Sequence, residues 1–515
     1  MIEVEVHQRL RAFLRDQGEP YWPHHLTMGR FVARALRLER SVLLQTGVPC
    51  FGYHGRYRLS YLLPALVWPG SVVVVASEVV QQRLLMVELP QLQEWVQSPK
   101  PIRAGDRWPG TDFQGILMTT PEVWLADRLT TGERFPRRIP TILDGVDDLE
   151  QWAFNQLTTC LLPGDWNDLV LAFPTCLDVI RDARVQLTKA IFHHPANPYE
   201  CYLLDETEKD LLHGLYSQLC PPDRKSSSLL PPNWNRFYQQ LQSENALPWA
   251  TIVRSQGQFS LCCGPVEVAS ALAQIWPQQP VVLIGSALDA ESDAPIYRQR
   301  VGLEDITCLK FVPDRQTEQI QLYLPDGLPM PNTSLFQSAL MREIRILLSV
   351  SIAVQGITVL LVGDMPLKAQ VGSQLAAEFG SRVQVEKTCL DDNGILVTGW
   401  EFWRQHQAVL PSPRLLIIAT LPIPSLENPL VAGRVAYFKR LRQDWFRLYL
   451  LPAALSELQR AVAPVRDCQG VVALLDNRVI HRSYGAQVLT ALSPLARINY
   501  VDASLFSQSD CSVVD

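Results

Sequence analysis

Hydrophobic positions along the chain follow two alternating periods. Residues 28–40, MGRFVARALRLER, place Phe31, Val32, Leu36 and Leu38 on an amphipathic helical repeat. SVLLQTG follows as a short apolar strand and runs into a loop containing Gly47, Pro49, Gly52 and Gly55. The helical stretch LSYLLPALVW comes next, then SVVVVAS, a strand apolar on both faces. Such a strand belongs in a parallel sheet covered by helices. GILMTT at 115–120 and PTILDG at 140–145 repeat the pattern, so this part predicts an α/β domain.

Between about 155 and 250 the pattern changes to helix-like stretches, LDVIRDARVQLTKAIF and ETEKDLLHGLYSQL, with no regular strand after them. CPPDRKSSSLLPPNWN reads as a linker or exposed loop. The α/β signal resumes with FSLCC, the helix VEVASALAQIW and the strand PVVLIGSAL. It then alternates through ITVLLVG, LKAQVGSQLAAEF, GILVTGW, PRLLIIATLP and GVVALLD. The simplest account is two α/β units with a mostly helical insertion in the first. The predicted parts are 1–155 and 250–295 for the first unit, 156–249 for the insertion, 296–505 for the second unit, and a frayed polar tail at 506–515.

Composition narrows the possibilities. With 515 residues, 47% hydrophobic and 19% charged, the chain can build several real cores. A net charge of −6 excludes a globally basic nucleic-acid binder and leaves room for a local basic groove. No apolar run suits a membrane span and the charged start suits no signal peptide, so a cytoplasmic chain is expected. Eleven scattered cysteines with no C-x-x-C spacing predict ordinary reduced thiols rather than a disulfide scaffold.

Direct motif matches are few. There is no intact G-x-x-x-x-G-K-[ST], H-E-x-x-H or G-x-S-x-G, and the adjacent pairs His24–His25 and His193–His194 do not converge on one metal. Segment order says more. A strand, glycine-containing loop and helix LSYLLPAL, then VVVVASEVVQQRLLMVELPQL, then TILDGVDDLE, resemble the first motor domain of the DinG/XPD-like superfamily-two helicases. IGSAL at 284–288 is similar to that family's SAT motif, LLVGDMPLKAQVGSQL to its motif four, and LVTGWEFW to T-x-S-F-W-E-G-V-D. ATLPIPSLENPL resembles the strand and loop that follow it. LYLLPAALSELQRAVAPVRDCQGVVALLDNRVIHRSYG resembles the region around the arginine-finger motif Q-x-x-G-R-x-x-R. The resemblance implies two RecA-like α/β motor domains with a helical, Arch-like insertion in the first. It also implies ATP and Mg²⁺ as cofactors and single-stranded DNA or RNA as partner. Stretch 90–140, where many relatives carry a four-cysteine iron–sulfur domain, holds no cysteine, so no iron–sulfur cluster is expected.

This sequence departs from the family at the nucleotide-handling positions. Tyr57 and Arg58 stand at the phosphate-loop Lys and Thr, although Gly52, Gly55 and Arg56 leave a partial loop with one substitute cation. With Gly47 as the first loop glycine, the loop is longer than the family's. At the DEAH box Asp144 remains, the Glu is replaced by Gly145, and Asp147 and Asp148 read as a solvated helix start. Phe402 and Trp403 match, whereas Arg404 and Gln407 replace Glu and Asp. In QRAVAPVR, Gln459 and Arg466 match and the first arginine is Ala463. Asp144 and Arg466 are thus catalytic remnants, and Gly52, Gly55, Arg56 and Gln459 mark a degenerate ATP site. A pseudoenzyme is expected.

Nucleic-acid candidates are Arg30, Arg34 and Arg37 on one helix face, Thr119 and Thr120 after a strand, and Trp403. Lys439, Arg440, Arg442 and Arg447 also cluster with Trp445, Phe446 and Tyr449. Solvated helix faces, core aromatics and helix caps account for the same residues. Three functions follow: a single-strand binder without efficient hydrolysis, an active helicase using Arg56 and Asp144, or a protein-interaction scaffold with a protein partner.

Overall fold

The computed structural model describes residues 1–18, 22–47, 55–130, 132–221, 230–312, 318–351 and 355–501. Strands are numbered along the chain. The first sheet takes β1 (Val42–Gln45), β2 (Val72–Val75), β3 (Ile102–Ala104), β4 (Ile116–Thr119) and β5 (Thr141–Asp144). It is completed by β10 (Val281–Gly285) and β11 (Thr307–Lys310) in the order β11-β1-β10-β5-β2-β4-β3, parallel throughout. The all-valine β2 explains the layering. Val72 and Val74 face the helices Ile2–Gln17, His25–Leu38 and Leu59–Val67, while Val73 and Val75 face Trp124, Leu149 and Phe154 on the other side.

LIGSAL returns as β10 between β1 and β5, as expected for the first sheet. Two boundaries differ from the sequence reading. The insertion carries an antiparallel sheet, β6 (Thr159–Leu161), β9 (Gln258–Pro265), β8 (Ala246–Val253) and β7 (Cys201–Leu203), in that order beside its helices. The hairpin β8–β9 therefore belongs to the insertion and not to the returning segment at 250. Apolar runs such as FSLCC do not tell parallel from antiparallel pairing. At the other end β11 pairs with β1, which extends the first unit past 295. Its half-exposed TCLK gave no buried-strand pattern.

The second sheet collects β12 (Ile320–Tyr323), β13 (Thr358–Leu361), β14 (Val383–Val385), β15 (Ile395–Thr398), β16 (Leu415–Ile418), β17 (Val471–Leu474) and β18 (Leu495–Ile498). Its order is β14-β15-β13-β16-β17-β12-β18, again parallel. The chain is thus two RecA-like α/β domains with an insertion. Among the described residues no helix is long and apolar enough to cross a membrane. The predicted tail at 506–515 lies outside the described residues.

Cysteine behaviour departs from the reduced-thiol expectation. Cys160 and Cys262 are directly opposed on β6 and β9 and are joined as a disulfide. Spacing along the chain hides this pair, because 102 residues separate its members.

The helix Pro429–Arg440 of the second domain lies against β7 and β8, with Tyr437, Leu247 and Val266 in one small core. Gly433 permits the approach: a Cβ there would stand 2.5 Å from Leu247 Cδ1. Gly433→Leu is expected to overpack this contact and destabilise it by about 1–3 kcal/mol. Hydrogen exchange resolved by peptide should show faster exchange in β7 and β8 of that variant. Unchanged protection there would contradict the contact.

Candidate functional site

Parallel α/β sheets present ligands at the carboxyl ends of their strands. There the chain leaves β1 and reaches the helix Leu59–Val67 through a tight turn at Arg56–Arg58. Gly52 and His54 lie outside the described residues. Tyr57, Arg58 and Tyr61 all point inward, each 0% exposed. They converge on Asp144, the last residue of β5. The Tyr57 hydroxyl donates to Asp144 Oδ1, the Tyr61 hydroxyl to Oδ2 at 2.9 Å, and Arg58 Nε to Oδ2 at 3.2 Å. Arg58 Nη1 also lies 3.6 Å from Glu88 Oε1, and Glu88 accepts from Arg83 Nε at 3.0 Å.

Two cations and two carboxylates therefore neutralise each other, with Arg58 and Asp144 sealed from solvent and Arg83 and Glu88 at the partly exposed edge. Burial works against the charge of Arg58, yet Asp144 first, and then Tyr57, Tyr61 and Glu88, hold its pKa above the ordinary value. Burial, and after it the negative charge of Asp144, raises Tyr61 well above the usual phenol range. Burial also raises Glu88, against the pull of Arg58 and Arg83. Gly55 makes room for Arg58. A Cβ there would stand 2.3 Å from Arg58 Cζ, so the guanidinium occupies the space that the glycine leaves open. Trp22 adds a further layer: its ring lies 6.2 Å from that of Tyr57 and 5.1 Å from that of Phe311. His25 Nδ1 meets Ser60 Oγ at 2.9 Å beneath it.

The segment after Asp144 is not a solvated helix start. Gly145 has φ +86°, a conformation that disfavours side-chain-bearing residues. Asp147 accepts hydrogen bonds from Ser286 N at 2.8 Å, Ser286 Oγ at 2.6 Å and Ala287 N at 3.2 Å. Asp148 reaches across to the second domain and pairs with Arg460 Nη2 at 2.9 Å. Burial lowers the Arg460 pKa, but Asp148 and Asp147 outweigh it and leave the group above the ordinary arginine value. Arg56 also crosses the cleft, to Asp467 at 3.2 Å. Glu150 accepts from Arg300 and lies 3.5 Å from Arg434, another interdomain link. The two α/β domains thus meet through their own ion pairs.

Other candidates fall elsewhere. Arg466 donates to the carbonyls of Glu318, Pro494, Leu492 and Ser493, and burial pushes its pKa down to about 10. Its guanidinium braces its own domain rather than the cleft. Gln459 Nε2 donates to the Ala491 carbonyl at 2.9 Å and lines a small cavity of about 130 Å³ against Ala287 and Leu288. Trp403 is 1% exposed, with Nε1 donating to the Ala461 carbonyl at 3.2 Å, so it is a core residue and no stacking platform. Thr120 caps the helix Pro121–Arg128 through Val123 N, and Thr119 is buried beside it. Arg30, Arg34 and Arg37 are exposed along a cleft of about 570 Å³ shared with the first helix, where Arg37 pairs with Glu3 at 2.7 Å.

Sequence reasoning missed Tyr61, Glu88, Arg460 and Trp22. Arg58 was the available clue, since an arginine leading into an apolar helix needs acceptors close by if it is buried.

No protein-family profile matches the chain. It is similar to the ATP-dependent DNA helicase YoaA of Escherichia coli (strain K12), at 25% identity over 256 residues covering 46% of this chain and 40% of that protein. The YoaA of Haemophilus influenzae (strain ATCC 51907 / DSM 11121 / KW20 / Rd) is 27% identical over 256 residues, 47% of this chain and 40% of its own length. The match therefore spans about two fifths of these curated relatives. Among solved structures, an XPD helicase superposes with TM-score 0.60 at 11% identity, covering 93% of this chain and 100% of its own. S. tokodaii Xpd4 gives 0.58 at 12% identity, covering 93% and 100%.

Proposed function

From a chain that has the fold and the sequence likeness of the DinG/XPD-like superfamily-two helicases, we propose a protein that holds single-stranded nucleic acid without turning over ATP. The observation that carries this reading is the Tyr57–Arg58–Tyr61 clasp on Asp144. Phosphoryl transfer needs glycine backbone around the phosphates, a lysine on them, a hydroxyl on Mg²⁺ and an oriented water. The residues here do not fit those groups. An arginine and two phenols fill the pocket, and Asp144 has three protein donors in place of a metal. Arg56, the substitute cation of an active-helicase reading, is already paired with Asp467.

Closure of the motor domains supports the same proposal. Nucleotide-driven motors couple a switch in bound phosphate to a change in domain contacts. Here Arg460–Asp148 and Arg56–Asp467 join the domains through side chains of the chain itself. Affinity for a strand is therefore expected to be constitutive. Full-length protein titrated into fluorescent single-stranded oligonucleotide should raise its anisotropy. Binding should weaken between 50 and 200 mM salt as phosphate contacts demand, with one midpoint in the presence and absence of Mg-ATP. A midpoint that moves with ATP would promote the active-helicase reading. No binding at low salt would leave the scaffold.

A further inference from the structure

We propose that the turn Lys439–Tyr449, at the junction of the second domain and the insertion, grips the strand: its cations take phosphates and Trp445 takes a base. This rests on the single-strand reading above and names the surface that performs it. In a chain of net charge −6, this stretch carries Lys439, Arg440, Arg442 and Arg447 against the one acid Asp444. All four cations are exposed, and Trp445 is half-buried. Lys439 Nζ lies 5.2 Å from the Trp445 ring centroid. A lysine on a flexible stem can leave that ring for a phosphate, and the vacated face then accepts a base.

Two backbone features point the same way. Arg442 holds φ +57° just past the C-terminus of the helix Pro429–Arg440, a position that favours glycine or asparagine. An arginine there is less favourable to the backbone than glycine. Residues Phe446–Leu450 then form a single π-helical turn, a feature frequent at functional sites. The platform beneath is rigid. Arg434 lies 4.6 Å from the Phe154 ring and 5.6 Å from that of Tyr449, and Phe446 packs on Tyr484 at 5.1 Å. The turn thus sits where the second domain packs on the insertion, and it is held in place by contacts on its inner side.

The test uses full-length protein with fluorescent oligo-dT and oligo-U, whose comparison separates DNA from RNA. Trp445→Ala is expected to weaken binding about tenfold, the effect of unstacking one base. The pair Lys439→Gln and Arg442→Gly should weaken it further and flatten the slope of log affinity against log salt by about 0.7 for each phosphate no longer neutralised. Arg442→Gly relieves the backbone, so its thermal midpoint should not fall. That separates a binding role from a structural one. If wild-type protein binds neither oligonucleotide, the single-strand reading itself fails. If wild-type binds and these variants bind with unchanged midpoint and salt slope, the strand lies elsewhere and only the assignment to this turn is overturned.

Discussion

Asp144→Asn is expected to destabilise the first domain by about 3–5 kcal/mol, the usual consequence of removing one member of a buried ion pair. The reason is local. Arg58 and Asp144 are both sealed from solvent, and the neutral amide leaves the guanidinium charged, with the more distant Glu88 as its remaining carboxylate in the cluster. The amide also offers one oxygen where two now receive Tyr57, Tyr61 and Arg58. Urea unfolding, together with hydrogen exchange across β5 and Leu59–Val67, reads the effect where it should concentrate. Replacing both charges, Arg58→Met with Asp144→Leu, should do less damage than either change alone, because nothing charged is then stranded. In a working nucleotide site the same Asn substitution would remove a metal ligand and leave the fold nearly intact. An Asp144→Asn variant within 0.5 kcal/mol of wild type, a margin usual for inconsequential surface changes, would falsify the clasp.

The second large effect is on turnover. Wild-type protein is expected to release no phosphate above background with single-stranded DNA, and Tyr57→Lys with Arg58→Thr should not restore release. An arginine finger alone is worth about 10³–10⁵ in rate, and the resemblance to DinG/XPD-like helicases aligns its position with Ala463. The same resemblance aligns Gly145 with the acid that orients water, and its φ of +86° strains any glutamate put back. The repaired loop also loses Arg58, so Asp144 and Glu88 face each other without it and the variant should be less stable than wild type. Losses within one site are not additive, so the separate factors do not multiply. Strand-stimulated phosphate release that disappears in Asp144→Asn would overturn the pseudoenzyme reading.

Much of the fold was legible because its signals are local. Four consecutive valines in β2, all β-branched and between turn residues, read as a strand covered on both sides. The segment order then fixed where β10 returns. The insertion's sheet was hidden because β6 and β9 find each other across about a hundred residues, and pairing at that range leaves no periodic trace. At the site, sequence identified the departures but not their replacement. Tyr57 and Arg58 read as bulk in a loop, and only the folded chain shows that they form a charge-balanced cluster with Glu88 and Tyr61. Trp403 marks the opposite error, since matching a motif says nothing about which way a ring turns. Arg466 did the same, trading a cleft for four carbonyls of its own domain.

The sheet order β11-β1-β10-β5-β2-β4-β3 bears on synthesis. The strand that joins β1 to β5 is β10, and it leaves the ribosome after the whole insertion. Between Asp144 and Gly285 lie about 140 residues, which at about 5–20 residues per second means about 7–28 s of elongation. Throughout that interval β1 on one side and the β5-β2-β4-β3 ribbon on the other each present an open apolar edge to the cell. The nascent first domain is therefore expected to need holding until residue 285 emerges, and slowing translation within the insertion should lower soluble yield more than slowing it anywhere in the second domain.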